Sequence, residues 1–192
     1  MALQQDLFAS DALPRSPGPP GLSLVEEAVA CEAEAMLAAR IDAAPLEPFR
    51  FGQWQGKRLT ASYGSAYDFT RGSVTDAPPL PDWLLELRAR LAALACLEAE
   101  AFAQALLIRY DPGAGIGWHR DRPQFGEVLG LSLGAPATLR LRRRVERGFE
   151  HRAVPLPPRS LYCLSGEARW EWEHSIVPMD QTRRSITFRT LR

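Results

Sequence analysis

Lysine is nearly absent from this chain of 192 residues: of 23 basic residues only Lys57 is one, and the rest are arginines. Neither sign of charge dominates, because 23 acidic residues balance the basic ones. No global field therefore draws the chain to nucleic acid or to a membrane surface. Apolar stretches stop well short of the roughly 18 residues that a bilayer span needs. The start, Met1-Ala2-Leu3-Gln4-Gln5-Asp6, lacks the basic and apolar regions of an export signal. Cysteine is scarce: Cys31, Cys96 and Cys163 are far apart, odd in number and without CxxC spacing. They read as reduced, buried thiols, and with the missing export signal they lead us to expect a cytoplasmic protein. Histidine is just as rare, with His119, His151 and His174 alone.

What is present describes one ordinary globular domain. Hydrophobic residues make up 46% and charged residues 24%, and the length supports a sizeable core. The arginine bias suits bidentate contacts with phosphate or carboxylate, although a GC-rich genome gives the same bias. Pro14, Pro17, Gly18, Pro19, Pro20 and Gly21 mark residues 1–21 as a disordered or extended tether. Residues 31–42 read as an amphipathic helix that stops before Pro45. Residues 49–67 mix aromatics and glycines in short strands, and 71–81 read as a turn-rich connection. Asp82 is the expected N-cap of a long helix over 83–103.

From Leu106 the period changes to short strands: 106–110, 117–121, 128–133, 138–144, 160–164, 170–174 and 185–190. Such spacing predicts an α+β protein, helices first and then a double-sheet jelly roll, without internal repeats. In a strand, i and i+2 share a face. His119 and Asp121 then point together, with Trp118 and Arg120 opposite. His174 shares a face with Trp170 and Trp172. Two imidazoles and a carboxylate make a facial metal set with open positions. Taken alone the three also fit a loop histidine and a hydrogen-bonded core histidine, and ligand type does not separate iron from zinc or manganese. His151 sits in an Arg/Glu-rich stretch and does not complete the pattern. Arg183, Ser185, Thr187 and Arg189 fall on one face of the last strand, Ile186 and Phe188 on the other. Two inward arginines call for an anion, and a small dicarboxylate gripped at both ends would supply it. The alternative is a solvated edge strand.

Several motifs in order carry a resemblance. They are Arg109-Tyr110-x-Pro112-Gly113-Ala114-x-Ile116-x-x-His119-Arg120-Asp121, then Leu131-Ser132-Leu133-Gly134, His174-Ser175-Ile176 and Arg183-x-Ser185-Ile186-Thr187-Phe188-Arg189. Over about residues 22–191 the chain resembles the AlkB family of 2-oxoglutarate- and Fe(II)-dependent dioxygenases, in a bacterial branch with a His-Arg-Asp-Arg-Pro motif. The resemblance implies a double-stranded β-helix (jelly-roll) core over 22–192, with N-terminal helices and a nucleotide-recognition lid at about 48–80. It implies His119, Asp121 and His174 as iron ligands and catalytic centre. It implies Arg183, Arg189 and Tyr110 as the 2-oxoglutarate contacts, and O2 as oxidant. The implied reaction releases succinate and CO2, oxidises an N-methyl group and frees formaldehyde, which would make the chain an alkylation-repair demethylase of DNA and also of RNA. Three positions depart from the family: Ile108 for a common asparagine, Pro123 for a common acidic residue, and Arg184 for a common tyrosine. Pro123 leaves room for the same chemistry on a protein or small molecule. A non-catalytic metal-binding jelly roll is a third reading.

Other features bear on the substrate. A base oxidised on its pairing edge is flipped or single-stranded and held by stacking. Trp54, Tyr63, Tyr67 and Trp118 are the candidate stackers, with core packing as the competing role. Arg140 and Arg142, in a strand followed by Arg143, Arg144, Arg147 and Arg152, are candidate phosphate contacts. Only Glu146 and Glu150 oppose this cluster along the sequence, and a charged protective edge strand is the alternative. Gln4, Asp6, Leu7 and Phe8, ahead of the tether, resemble the peptide that docks on the bacterial DNA polymerase sliding clamp. Otherwise a monomer without membrane contact is expected.

Overall fold

The computed structural model describes residues 18–51 and 54–192, without the side chains of Phe51 and Trp54. The clamp-like peptide, most of the expected tether and the Trp54 ring lie outside the described residues. The N-terminal half contains β1 (Leu22–Val25), α1 (Cys31–Asp42), β2 (Glu47–Phe51), β3 (Trp54–Tyr63), β4 (Ser65–Asp68), β5 (Ser73–Asp76) and α2 (Asp82–Leu94). After a 3-10 turn at Ala99–Ala101 come β6 (Gln104–Tyr110), β7 (Ile116–His119), β8 (Phe125–Gly134), β9 (Ala137–Arg144) and β10 (Phe149–Leu156). The chain ends with β11 (Leu161–Leu164), α3 (Gly166–Trp170), β12 (Glu173–Ile176) and β13 (Arg183–Leu191).

Strands pair into a seven-stranded sheet, β1-β11-β8-β13-β6-β3-β2, and a four-stranded sheet, β10-β9-β12-β7. β4 and β5 form a separate ribbon. Every pairing is antiparallel. Period-2 alternation divides the larger sheet. Its outer face, with Ala105, Leu107, Leu129, Leu131, Ile186 and Phe188, packs against Leu37 and Ile41 of α1 and Leu84, Leu87 and Leu91 of α2. This is the helical cover that Ile186 and Phe188 needed. Both are fully buried, and each burial stabilises the fold by about 1.5–3 kcal/mol. The inner face, with Ile108, Tyr110 and Val128, meets Leu139, Leu141 and Trp172 of the smaller sheet side. The functional residues lie between these two layers.

Several expected boundaries move. Residues 18–21 make a turn, with the Leu22 amide donating to the Pro19 carbonyl at 3.0 Å, and β1 follows on the sheet edge. Part of the 71–81 connection is β5. Asp82 is the first helical residue rather than the cap, which is Pro81, so its charge serves the helix dipole instead. α2 stops at Leu94, not near 103. Cys96 adopts a left-handed φ of 55°, and the Leu97 amide donates to the Ala92 carbonyl at 2.9 Å, a Schellman stop that usually carries glycine. The 170–174 strand is the end of α3 followed by β12, so Trp170 and His174 do not share a strand face. β10 was missed; it holds Pro155 at the sheet edge, where a missing donor is tolerated. Cys31 and Cys96 are exposed, against expectation, and only Cys163 is buried. Among the described residues no helix is long and apolar enough to cross a membrane.

Candidate functional site

One large cavity, about 1090 Å³, opens between the sheets. Its floor is the polar face of β13. Arg183, Ser185, Thr187 and Arg189 all line it. β13 pairs with β6 on one side and β8 on the other, which sets Arg183 opposite Tyr110 and Gly134, and Arg189 opposite Gln104 and Val128. The solvated-edge alternative fails, because β13 is central and Arg183 is 1% exposed.

Arg183 is the least satisfied group of the site. Its Nε donates to Ser132 Oγ at 3.1 Å, and its plane lies 5.2 Å from the Tyr110 ring centroid. Both terminal nitrogens are buried without a hydrogen-bond partner. An orphaned buried guanidinium costs several kcal/mol, and a carboxylate presented bidentately removes that cost. Arg189 is better held: Nη1 donates to Gln104 Oε1 and Nη2 pairs with Asp121 Oδ1, both at 2.9 Å, while its Nε is orphaned. The two arginines, Arg183 and Arg189 on one strand face, mark two ends of an anion slot.

The metal candidates come from both sides of the β7–β12 pair. His119 lies opposite His174 in register, and their ring centroids are 4.2 Å apart. His119 Nδ1 donates to the Gly117 carbonyl at 2.9 Å, which leaves Nε2 with its lone pair toward the cavity. β7 ends at His119, so Asp121 lies beyond the strand and does not share its pleat as expected. It faces the cavity because Arg189 holds it and because Arg169 clamps the following loop. That buried guanidinium donates to the carbonyls of Arg122, Phe125 and Gly126.

Charge states favour metal binding. Burial opposes ionisation of Asp121, but Arg189, His174 and His119 outweigh it and hold the carboxyl well below the usual range. Burial pushes His174 down to about 3, with His119 adding to the effect. Burial also lowers His119. The site therefore presents two neutral imidazoles and one carboxylate, the protonation states that ligation needs. As they stand, no three His, Cys, Asp or Glu side chains among the described residues close around a common point. The imidazoles meet, while the Asp121 carboxylate is turned to Arg189.

The mouth is aromatic. Tyr63, Tyr67 and Trp118 reach the cavity wall as expected, though Tyr63 also packs on the helix-side core. The sequence reading missed Phe49, Phe69, Arg58 and Arg122. Phe69 meets Phe49 at 5.3 Å and Tyr67 at 4.9 Å between centroids. Arg122 lies about 5 Å over Tyr67 and Phe69, and Arg58 lies 3.7 Å over Phe49. Alternation along β3 was the available signal, since Arg58, Thr60 and Ser62 all face the cavity. Tyr162, also missed, lies over Gly130 so closely that an added Cβ would sit 2.1 Å from its Cζ.

Arg140 and Arg142 do not reach this cavity. They cover the Trp118 ring from the outer face of the smaller sheet, each at 4.6 Å. Arg142 Nε pairs with Glu173 Oε2 at 2.6 Å. Arg143 pairs with Glu150, Glu167 and Glu171. The basic cluster is therefore opposed by more acids than Glu146 and Glu150, and β9 is an internal strand.

Fold and site together describe a double-stranded β-helix whose cavity sets two buried arginines beside two imidazoles and a carboxylate. Residues 42–190 match the 2OG-Fe(II) oxygenase superfamily, and the chain belongs to it, as a member of AlkB type. It is 32% identical over 172 residues to the tRNA (carboxymethyluridine(34)-5-O)-methyltransferase alkbh8 of Xenopus tropicalis, across 83% of this chain and 26% of that protein. It is 27% identical over 183 residues to the alkylated DNA repair protein ALKBH8 homolog of Arabidopsis thaliana, across 82% of this chain and 51% of that one. The chain thus spans only a quarter to a half of these relatives. The solved structure of OsALKBH1 superposes with a TM-score of 0.68 at 15% identity, covering 90% of this chain and 97% of that one, which shows the shared fold. The chain is a 2-oxoglutarate-dependent dioxygenase, and Fe(II), 2-oxoglutarate and O2 are the cofactors its family implies. The orphaned nitrogens of Arg183 and the donor set of neutral imidazoles and carboxylate fit that requirement.

Proposed function

We propose that this chain oxidises an alkyl substituent on a nucleobase held out of its stack, in DNA or RNA. Arg183 and Tyr110 would take the distal carboxylate of 2-oxoglutarate, and Arg189 the end nearer the metal. His119, Asp121 and His174 would hold Fe(II), which supplies O2 activation coupled to decarboxylation of the bound keto acid. This chain's residues do the positioning. Arg189 and Arg169 fix the Asp121 carboxylate and its loop, the Gly117 carbonyl fixes the His119 ring, and the surrounding apolar walls exclude water. Tyr67, Phe69 and Phe49 give a base a stacking wall. An N-methyl group oxidised at that wall would leave as formaldehyde.

The observation that carries this reading is a single cavity joining an anion slot, a metal donor set and an aromatic mouth. Two relatives support nucleic acid as the substrate class, since one is named for a tRNA activity and one for repair of alkylated DNA. The test is Fe(II)-dependent release of succinate and formaldehyde with matched alkylated DNA and RNA oligonucleotides. Turnover stimulated by an oligonucleotide, and lost in His119→Ala, supports the reading. Stimulation by peptides alone would shift the same chemistry to a protein substrate. Turnover that survives His119→Ala would remove the metal assignment.

A further inference from the structure

Resting on that reading, we propose that Arg58 holds an oxyanion of the substrate nucleotide, and that the chamber turns away alkylated bases that carry a positive charge. Arg58 extends from β3 into the cavity beside the anion slot. One face of its guanidinium is stacked on Phe49 at 3.7 Å. Its Nε is buried without a hydrogen-bond partner, and no ion pair is formed by Arg58 among the described residues. The residue is half-buried, and that burial pulls its ionisation down. A desolvated cation of this kind needs an anion.

The cosubstrate does not supply that anion. In the proposed reading its two carboxylates have Arg183 and Arg189 on β13. What remains lining the chamber is the positive charge of Arg58. Among the carboxylates of the wall, Asp121 is committed to Arg189 and the metal, while Glu47 and Asp76 are exposed at the rim. Pro123 is exposed and does not line the cavity, so no carboxylate stands there to meet a cationic base. Arg58 lines the same cavity as His119, Asp121 and His174, so a substrate presented to the metal site comes within its field. A cationic base such as 1-methyladenine would be repelled there, and a neutral base, or one bearing a carboxylate, would not. The oxyanion has two sources, a carboxylate on the base or the phosphate of the target nucleotide.

The test measures binding, with Mn(II) and 2-oxoglutarate bound and oxygen excluded. Three RNA pentamers are compared that differ only in the central base: 5-carboxymethyluracil (anionic), uracil (neutral) and 1-methyladenine (cationic). The anionic pentamer is expected to bind about tenfold more tightly than the cationic one. Arg58→Gln should bring the two within about twofold, and Arg58→Lys, which keeps the charge, should restore most of the gap. Loss of the gap confined to the base-modified pentamer, repeated with the free nucleosides, assigns the oxyanion to the base. A narrowed gap with the uracil pentamer weakened as well in Arg58→Gln assigns it to the phosphate, and uniform weakening with the gap intact overturns the exclusion of cationic bases by Arg58. Equal or tighter wild-type binding of 1-methyladenine, or affinities untouched by Arg58→Gln, overturns the inference. Failure of the underlying nucleic-acid reading looks different: no pentamer binds, whatever its charge. Melting curves of both variants separate these outcomes from misfolding.

Discussion

The arginines of β13 and those of β9 look alike in sequence and differ completely in the folded chain. On β9, Arg142 and Arg143 find Glu173, Glu150, Glu167 and Glu171 within 3.1 Å. Their charge is cancelled before any ligand arrives. On β13, Arg183 is 1% exposed with two nitrogens unpartnered, and Arg189 keeps an orphaned Nε while it steadies Asp121. A satisfied arginine adds to the fold. An unsatisfied buried one costs stability and is explained by the ligand that completes it. The number of arginines in a strand therefore says little about binding, and the number of unmet donors says a great deal.

The sharpest way to break this contrast is Arg183→Met. The variant should bind 2-oxoglutarate at least about 30-fold more weakly by calorimetry, since removing one partner of a buried charge pair costs about 2–5 kcal/mol. Its stability without ligand should be unchanged or higher, because the two orphaned nitrogens are gone. In the wild type, 2-oxoglutarate at about 100 times its Kd should add about 2.7 kcal/mol of stability, and the variant at the same concentration should lose most of this. A variant that loses stability without ligand and keeps its affinity would make Arg183 structural, like Arg143.

A smaller effect should come from Gly130→Ala, on the face of β8 across which Tyr162 lies. The new methyl would meet Tyr162 Cζ at 2.1 Å, so the phenol ring must move into the cavity beside Arg183. Overpacking of this kind costs about 1–3 kcal/mol, read as a lower melting temperature. Weakened 2-oxoglutarate binding should accompany it, and the double variant Gly130→Ala/Tyr162→Leu should recover most of the stability. Stability loss with unchanged affinity would confine Tyr162 to packing.

The same contrast explains what was legible in the sequence. Strand parity alone put Arg183, Ser185, Thr187 and Arg189 on one face and Ile186 and Phe188 on the other, because period 2 survives any tertiary context. The His119–His174 pairing was read from residue types, while its geometry depends on the β7–β12 register, which the sequence does not display. α3 was hidden because residues 170–174 alternate like a strand. With it went Glu167 and Glu171, the acids that neutralise Arg143, so β9 looked more basic than it is. Arg58 was missed for a related reason. Its β3 alternation was visible, but its lack of an acidic partner is a property of the folded neighbourhood, and Phe49 comes from another strand.

The smallest expected effect completes the contrast from the other side. Arg143→Ala removes three ion pairs near the end of β9, all partly exposed and open to salt screening. Because Arg143 does not line the cavity, 2-oxoglutarate affinity should stay within about twofold of wild type, the scatter expected of an uncoupled distant site. The melting temperature should fall slightly at low salt, and the deficit should shrink as salt rises, since screening weakens the same pairs in the wild type. A nucleic-acid affinity that drops with Arg143→Ala would show that these pairs open to admit phosphates. That result would return β9 to the binding surface and place the difference between the two strands in ligand type rather than in satisfaction of charge.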